Sequence, residues 1–304
     1  MVDGIAAIPV SPQQASSRQL LRAAWLIVLI LTVPEIILRA FMGMDTSWML
    51  PARIVLLAGL FAFSFAQDWF RPLRGFVLIL LIIYGVEGLV FGTFVLQTPI
   101  YQQIFGSSAE MAFFGERLLR IGAVIGMLLV LLGMGLKRRD FYLTWGNPSA
   151  TAEPDPVLHL PPKPEPWTRF GRNYALISTV LLLVFLVPAL QPSLSNFSLG
   201  LVLFAAVCAA LNAFAEEFLY RAALLPQLLP LFPKHRTLLL VALWFGLAHY
   251  FGVPSGITGV LLTALGGWFF AKAMTETRGI GVPWLMHFLS DFAVYLVILL
   301  AGAL

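Results

Sequence analysis

The sequence predicts an all-α protein, a polytopic bundle of transmembrane helices, and three observations carry that prediction. Of the 304 residues, 60% are hydrophobic and only 11% are charged, against about 25% charged in a soluble domain. Mean hydropathy is +0.89, and the apolar residues gather in long runs between polar breaks. The basic excess, 19 Lys and Arg against 15 Asp and Glu, falls mostly in alternate breaks, as cytoplasmic loops require. That pattern accounts for the charge through membrane lipid, with no nucleic acid partner. The single cysteine, Cys208, excludes an intrachain disulfide.

A span takes roughly 20 apolar residues. About nine runs qualify, near 19–42, 51–67, 73–96, 112–136, 170–190, 197–225, 236–251, 255–275 and 280–303. Residues 1–18 read as a polar tail without the basic start of a signal peptide, and the first run is too long for one, so it is expected to stay as a helix. With the N-terminus inside, 14 of the 19 basic residues fall in cytoplasmic segments. Arg39, Arg53, Arg117 and Arg120 fall on the opposite side and Arg221 within a helix, which gives N-in, C-out. The segment 137–169 opens with Lys137-Arg138-Arg139-Asp140 and is rich in proline, so it reads as an extended cytoplasmic linker. It divides a four-span region, 19–136, from a five-span core, 170–304. A bacterial inner membrane is the expected location.

The chemistry concentrates in the second half. Glu216 and Glu217 stand side by side inside an apolar run, where a carboxylate costs about 2.5–3.5 kcal/mol on insertion scales. Glu217 and Arg221 are four apart with the acid first, the better orientation for a helical ion pair. Glu216 points about 100° away and has no such partner in its own helix. Asn212 and Tyr220, each four residues from Glu216, share its face. His249 ends the stretch Phe245-Gly246-Leu247-Ala248-His249, and His287 is four residues before Asp291. Three separate spans therefore carry ionisable groups, which are expected to converge on one polar cavity. Measured along the helices, Glu216 lies roughly 14 Å deep, His287 about 10 Å and His249 about 20 Å, so His249 fits worst. Glu35 and Glu87 in the first half lack companion motifs.

A carboxylate held away from bulk water can act as a general base near neutral pH. Beside a histidine it could hold and deprotonate a water, while a second histidine donates to the oxyanion of a tetrahedral intermediate. That is enough equipment to hydrolyse a peptide bond of a membrane-associated peptide or protein.

Glu216-Glu217-x-x-x-Arg221, then Phe245-x-x-x-His249, then His287-x-x-x-Asp291 resembles the CPBP family. This family comprises the CAAX prenyl endopeptidases and the bacterial bacteriocin-processing or self-immunity proteins, also called the ABI family. The resemblance covers roughly residues 170–304 and leaves the first four spans unmatched. It implies an α-helical intramembrane endopeptidase in which Glu216 activates water, His249 assists, and His287 with residue 291 stabilises the oxyanion. Glu217 and Arg221 would give structural support, and Asn212, Tyr220 and Phe245 would line the pocket. Prenyl endopeptidases of the family commonly have asparagine where Asp291 stands. Asparagine donates a hydrogen bond and an ionised aspartate does not. Asp291 would have to be protonated, or would instead orient His287 and hold it cationic.

Two alternatives stay open on the sequence. Glu216, His249 and His287 could ligate Zn2+ with water in the fourth position, although the His-Glu-x-x-His signature of that chemistry is absent; the metal-free reading has no cofactor. The same groups could also serve a proton-coupled transporter, or persist in a catalytically inactive immunity or scaffold protein.

Overall fold

The computed structural model describes residues 12–304; residues 1–11 of the expected polar tail lie outside the described residues. The helices among the described residues are α1 (Pro12–Glu35), α2 (Met49–Ala66), α3 (Arg74–Ile82), α4 (Pro99–Phe105), α5 (Ala109–Gly133), α6 (Trp167–Leu190), α7 (Leu199–Glu217), α8 (Leu225–Leu228), α9 (Lys234–Ala248), α10 (Gly256–Thr277) and α11 (Gly281–Ala301). Serine caps define several starts. Ser108 accepts from the Met111 amide ahead of α5, and Ser198 from the Leu201 amide ahead of α7, each satisfying a donor the helix leaves unpaired.

Seven helical segments among the described residues are long and apolar enough to cross a membrane: Ser17–Phe41, Met49–Ala66, Arg71–Gln97, Trp167–Leu190, Leu199–Leu228, Gly256–Thr277 and Gly281–Ala301. Two of the nine expected runs fall outside this set. The run 112–136 is helical in α5, but Glu110, Glu116, Arg117 and Arg120 charge its first half. The run 236–251 is helical in α9, but that helix has 15 residues, about 22 Å, short of the roughly 30 Å of a hydrocarbon core.

Three helices widen into π-helical turns: Ile36–Phe41 after α1, Ile83–Phe94 after α3 and Phe218–Ala222 after α7. The third begins directly after Glu217, and the Ala223 amide closes it on the Phe218 carbonyl at 3.0 Å. Such turns add a residue per turn and often occur at functional sites.

Packing brings distant runs together. α11 lies against α7 and α6, α9 against α10, α5 against α7, and α1 against α9. The α9–α10 contact is tight at Gly246, where a Cβ would stand 2.6 Å from the Val260 carbonyl oxygen and 2.7 Å from the Ala264 Cβ. Only a hydrogen side chain allows that approach.

The proline-rich segment is docked against the bundle at both of its ends. Its short strands β1 (Thr151–Ala152) and β2 (Glu165–Pro166) pair antiparallel. The Ile280 amide donates to the Tyr142 and Thr144 carbonyls, and the Asn147 amide to that of Thr277. Buried Lys272 donates to Glu276 Oε1 at 2.6 Å and to the Glu153 carbonyl. The loop charges put the segment and the α10–α11 turn on one side of the membrane, and these bonds join the two.

Candidate active site

α7 supplies two acids pointing different ways. Glu217 and Arg221 are wholly buried, with Arg221 Nη1 donating to Glu217 Oε1 at 2.7 Å. Arg221 Nε and Nη2 have no hydrogen-bond partner among the described residues. The guanidinium lies instead over the Phe245 ring, 3.9 Å from its centroid, and 5.3 Å from that of Phe270, so cation–π attraction covers the remaining charge. Glu217 Oε1 also accepts from His287 Nδ1 at 2.8 Å. A carboxylate oxygen with no proton can only accept, so this contact puts the hydrogen on Nδ1 and turns Nε2 toward Glu216.

His249 is oriented by the same logic. α9 ends at Ala248, and His249 caps it. Its Nδ1 stands 2.7 Å from the Phe245 carbonyl oxygen, which fixes the proton on Nδ1 and leaves Nε2 facing the cavity. Phe245 packs on the ring, with centroids 4.3 Å apart, and Phe270 stacks on His287 at 4.9 Å.

These orientations meet at Glu216, whose side chain is 7% exposed. Its Oε2 lies 3.7 Å from His249 Nε2 and 3.7 Å from His287 Nε2. Both separations are too long for a direct hydrogen bond and suit a bridging water. Asp291 completes the group, with Oδ1 3.4 Å from His287 Nε2 and Oδ2 accepting from Asn212 Nδ2 at 2.9 Å. A cavity of about 400 Å³ opens onto Glu216, His249, His287 and Asp291, and Asn212 and Phe245 line it. Tyr220 borders a neighbouring cavity instead and packs on Trp244 and Phe245. The π-helical turn at Phe218–Ala222 displaces it from the face a regular helix would share with Glu216.

Glu216, without an ion-pair partner in its own helix, finds one on α5. Arg120 of α5 donates from Nη1 to Glu216 Oε1 at 2.5 Å and to Asn212 Oδ1 at 2.7 Å. Its Nε faces Glu87 Oε1 at 3.5 Å. Neither Arg120 nor Glu87 belongs to the motifs of the second half. The available signal is a charged residue inside the apolar run 112–136, although the charge count places Arg120 with the residues on the outer side.

The Zn2+ alternative can be tested on these groups. Among the described residues, no three His, Cys, Asp or Glu side chains converge as ligands of one metal ion. Arg120 already places a fixed cation on Glu216, beside the point a second cation would occupy.

Residues 195–293 match the family described as type II CAAX prenyl endopeptidase Rce1-like. Over these residues the chain is similar to that family. No curated protein and no solved structure matches the chain. The Rce1-like segment contains Glu216, Glu217, Arg221, Phe245, His249, His287 and Asp291, the residues of all three motifs. Arg120 and Glu87 lie outside it. The family supports an intramembrane protease of the CAAX type at family level.

Proposed function

We propose that the chain is an intramembrane endopeptidase that hydrolyses a peptide bond of a membrane-associated substrate by a glutamate–water mechanism. The observation that carries the reading is the convergence of Glu216 Oε2 with His249 Nε2 and His287 Nε2, each 3.7 Å away, around space for one water.

In this reaction Glu216 takes a proton from the water while the oxygen adds to the scissile carbonyl carbon. His249 Nε2 accepts a hydrogen bond from the same water and directs its lone pair. The carbonyl becomes an oxyanion, which His287 stabilises in concert with Asp291. Collapse of the intermediate breaks the C–N bond, and the proton held by Glu216 passes to the leaving nitrogen. The products are a carboxylic acid and an amine, with no oxidant or further reactant needed. Glu217 and Arg221 hold His287 and Phe245 in place and do not touch the reacting atoms.

The resemblance to prenyl endopeptidases makes a lipidated peptide the first substrate class to try. The apolar part of the cavity wall, with Ile177, Leu181 and Leu262, suits an acyl or prenyl chain. Quantitative proteomics of membrane peptides, comparing host cells that carry the parent protein with cells that carry Glu216→Gln, tests the reading. A cleavage product present with the parent and missing with the variant is the expected result. Identical product sets at equal protein levels sink the reading and favour an immunity or scaffold role.

A further inference from the structure

Two cavities meet at a single side chain. Beside the chamber at Glu216 lies a second cavity of about 460 Å³, bordered by Glu35, Arg53, Glu87 and Tyr220. Arg120 borders both. It comes from α5, outside the Rce1-like segment, so the family motifs assign it nothing.

Its contacts are specific. Nη1 donates both to Glu216 Oε1, at 2.5 Å, and to Asn212 Oδ1, at 2.7 Å. Asn212 passes the link to Asp291. On the other side, Arg120 Nε faces Glu87 Oε1 at 3.5 Å. Among the described residues Glu87 Oε2 has no hydrogen-bond partner; Arg120 is the cation paired with this carboxylate, and Tyr220 borders the same cavity. One guanidinium thus spans the wall between the chambers and ties Glu87, Glu216, Asn212 and Asp291 into one chain.

We propose that Arg120 is the positioning residue for Glu216, with Glu87 as its anchor in the second cavity. The proposal rests on the hydrolytic reading of the site. A glutamate side chain has three rotatable bonds, and a base must be held within reach of its proton. With Oε1 pinned by Arg120, Oε2 is the oxygen left to face the two imidazoles. A planar guanidinium suits this task because its donors keep a fixed geometry. The first half of the chain thereby contributes a working part of a site whose motifs all lie in the second half.

The test uses the full chain in proteoliposomes and a fluorogenic peptide that copies the bond whose product disappears with Glu216→Gln. Arg120→Ala is expected to lower kcat tenfold or more at unchanged KM, and added methylguanidinium to restore activity at least threefold. Glu87→Gln is expected to lower kcat in the parent and to add nothing in the Arg120→Ala background. A smaller loss, a raised kcat, or a loss that methylguanidinium does not relieve overturns the proposal. If Arg120→Ala does not accumulate, Arg120→Lys decides: a threefold or greater fall in kcat supports positioning, and a smaller change overturns it. Cleavage by Glu216→Gln at the parental rate would remove the hydrolytic reading itself. Parental cleavage by the Arg120 variants, with Glu216→Gln inactive, removes only the present proposal.

Discussion

Glu217 binds His287 across the α7–α11 contact, Oε1 to Nδ1 at 2.8 Å, with the same oxygen that accepts from Arg221. The second acid of the pair is therefore the joint between the buried arginine and one of the two imidazoles. Its neighbour Glu216 faces the cavity. One residue of offset along a helix separates an acid paired through a single buried oxygen, Oε1, from one whose second oxygen faces a cavity.

That joint predicts a stability effect. Glu217 and Arg221 are fully buried, and removing one partner of such a pair leaves an uncompensated charge that costs about 3–5 kcal/mol. Glu217→Gln is expected to lower stability by that order, read by denaturation in detergent. In Glu217→Gln/Arg221→Met no lone charge remains, so the double variant should lose less than the sum of the single losses. A strictly additive double variant contradicts the joint.

The spacing of Glu217 to Arg221 and of His287 to Asp291 was legible because both pairs lie within single helices, where four residues make one face. Convergence of three helices followed from the cost of stranded charges in lipid. Arg120 was not legible, because its partner Glu216 is 96 residues away and no local period links them. The displacement of Tyr220 was hidden for another reason: a π-helical turn obeys a spacing the sequence does not advertise. Proline content in 137–169 signals extended chain, but nothing in it names the Ile280 amide as the donor to Tyr142 and Thr144. His249 looked too deep when depth was counted along a full span. α9 is short and ends where the ring begins, so length along the chain misjudged its place.

Gly246 links packing to the site. A methyl there would press on the Val260 carbonyl and the Ala264 Cβ, and overpacking of this kind costs about 1–3 kcal/mol. The strain falls one turn before His249, so Gly246→Ala should reduce both the melting temperature and the rate of cleavage. Gly133→Ala is the control, since nothing lies within 4 Å of a Cβ at that position. Equal behaviour of the two variants would mean that α9 can shift without moving the ring.

Asp291 separates two ways of stabilising an oxyanion. Its Oδ2 accepts from Asn212, and its Oδ1 faces His287 Nε2 at 3.4 Å. Asp291→Asn keeps an oxygen for Asn212 and places an NH2 group on the His287 side, so cleavage should be unchanged or faster. Asp291→Ala removes both functions and leaves His287, the oxyanion donor, without its orienting acid, so kcat should fall toward the factor of about 10²–10³ that loss of such a donor costs. The comparison is made on kcat for the same peptide. If Asn is as damaging as Ala, the carboxylate is required for its charge, as an orienting partner of His287.

Chelation tests metal dependence, and the group that already sits on Glu216 sets the expected result. The ring N–H contacts, His249 Nδ1 to the Phe245 carbonyl and His287 Nδ1 to Glu217, are ones that zinc-binding histidines also make, so they do not discriminate. The Arg120 guanidinium, 2.5 Å from Glu216 Oε1, does. A divalent ion on the same carboxylate would be repelled by that fixed charge in a low-dielectric setting, where Coulomb energies are several-fold larger than in water. Exhaustive chelation should therefore leave the rate of peptide cleavage unchanged, and Arg120→Ala should not acquire a zinc requirement unless the arginine alone was keeping zinc away. Cleavage that stops on chelation and returns with zinc alone would replace the glutamate–water mechanism with a zinc one and make Arg120 a neighbour of the metal.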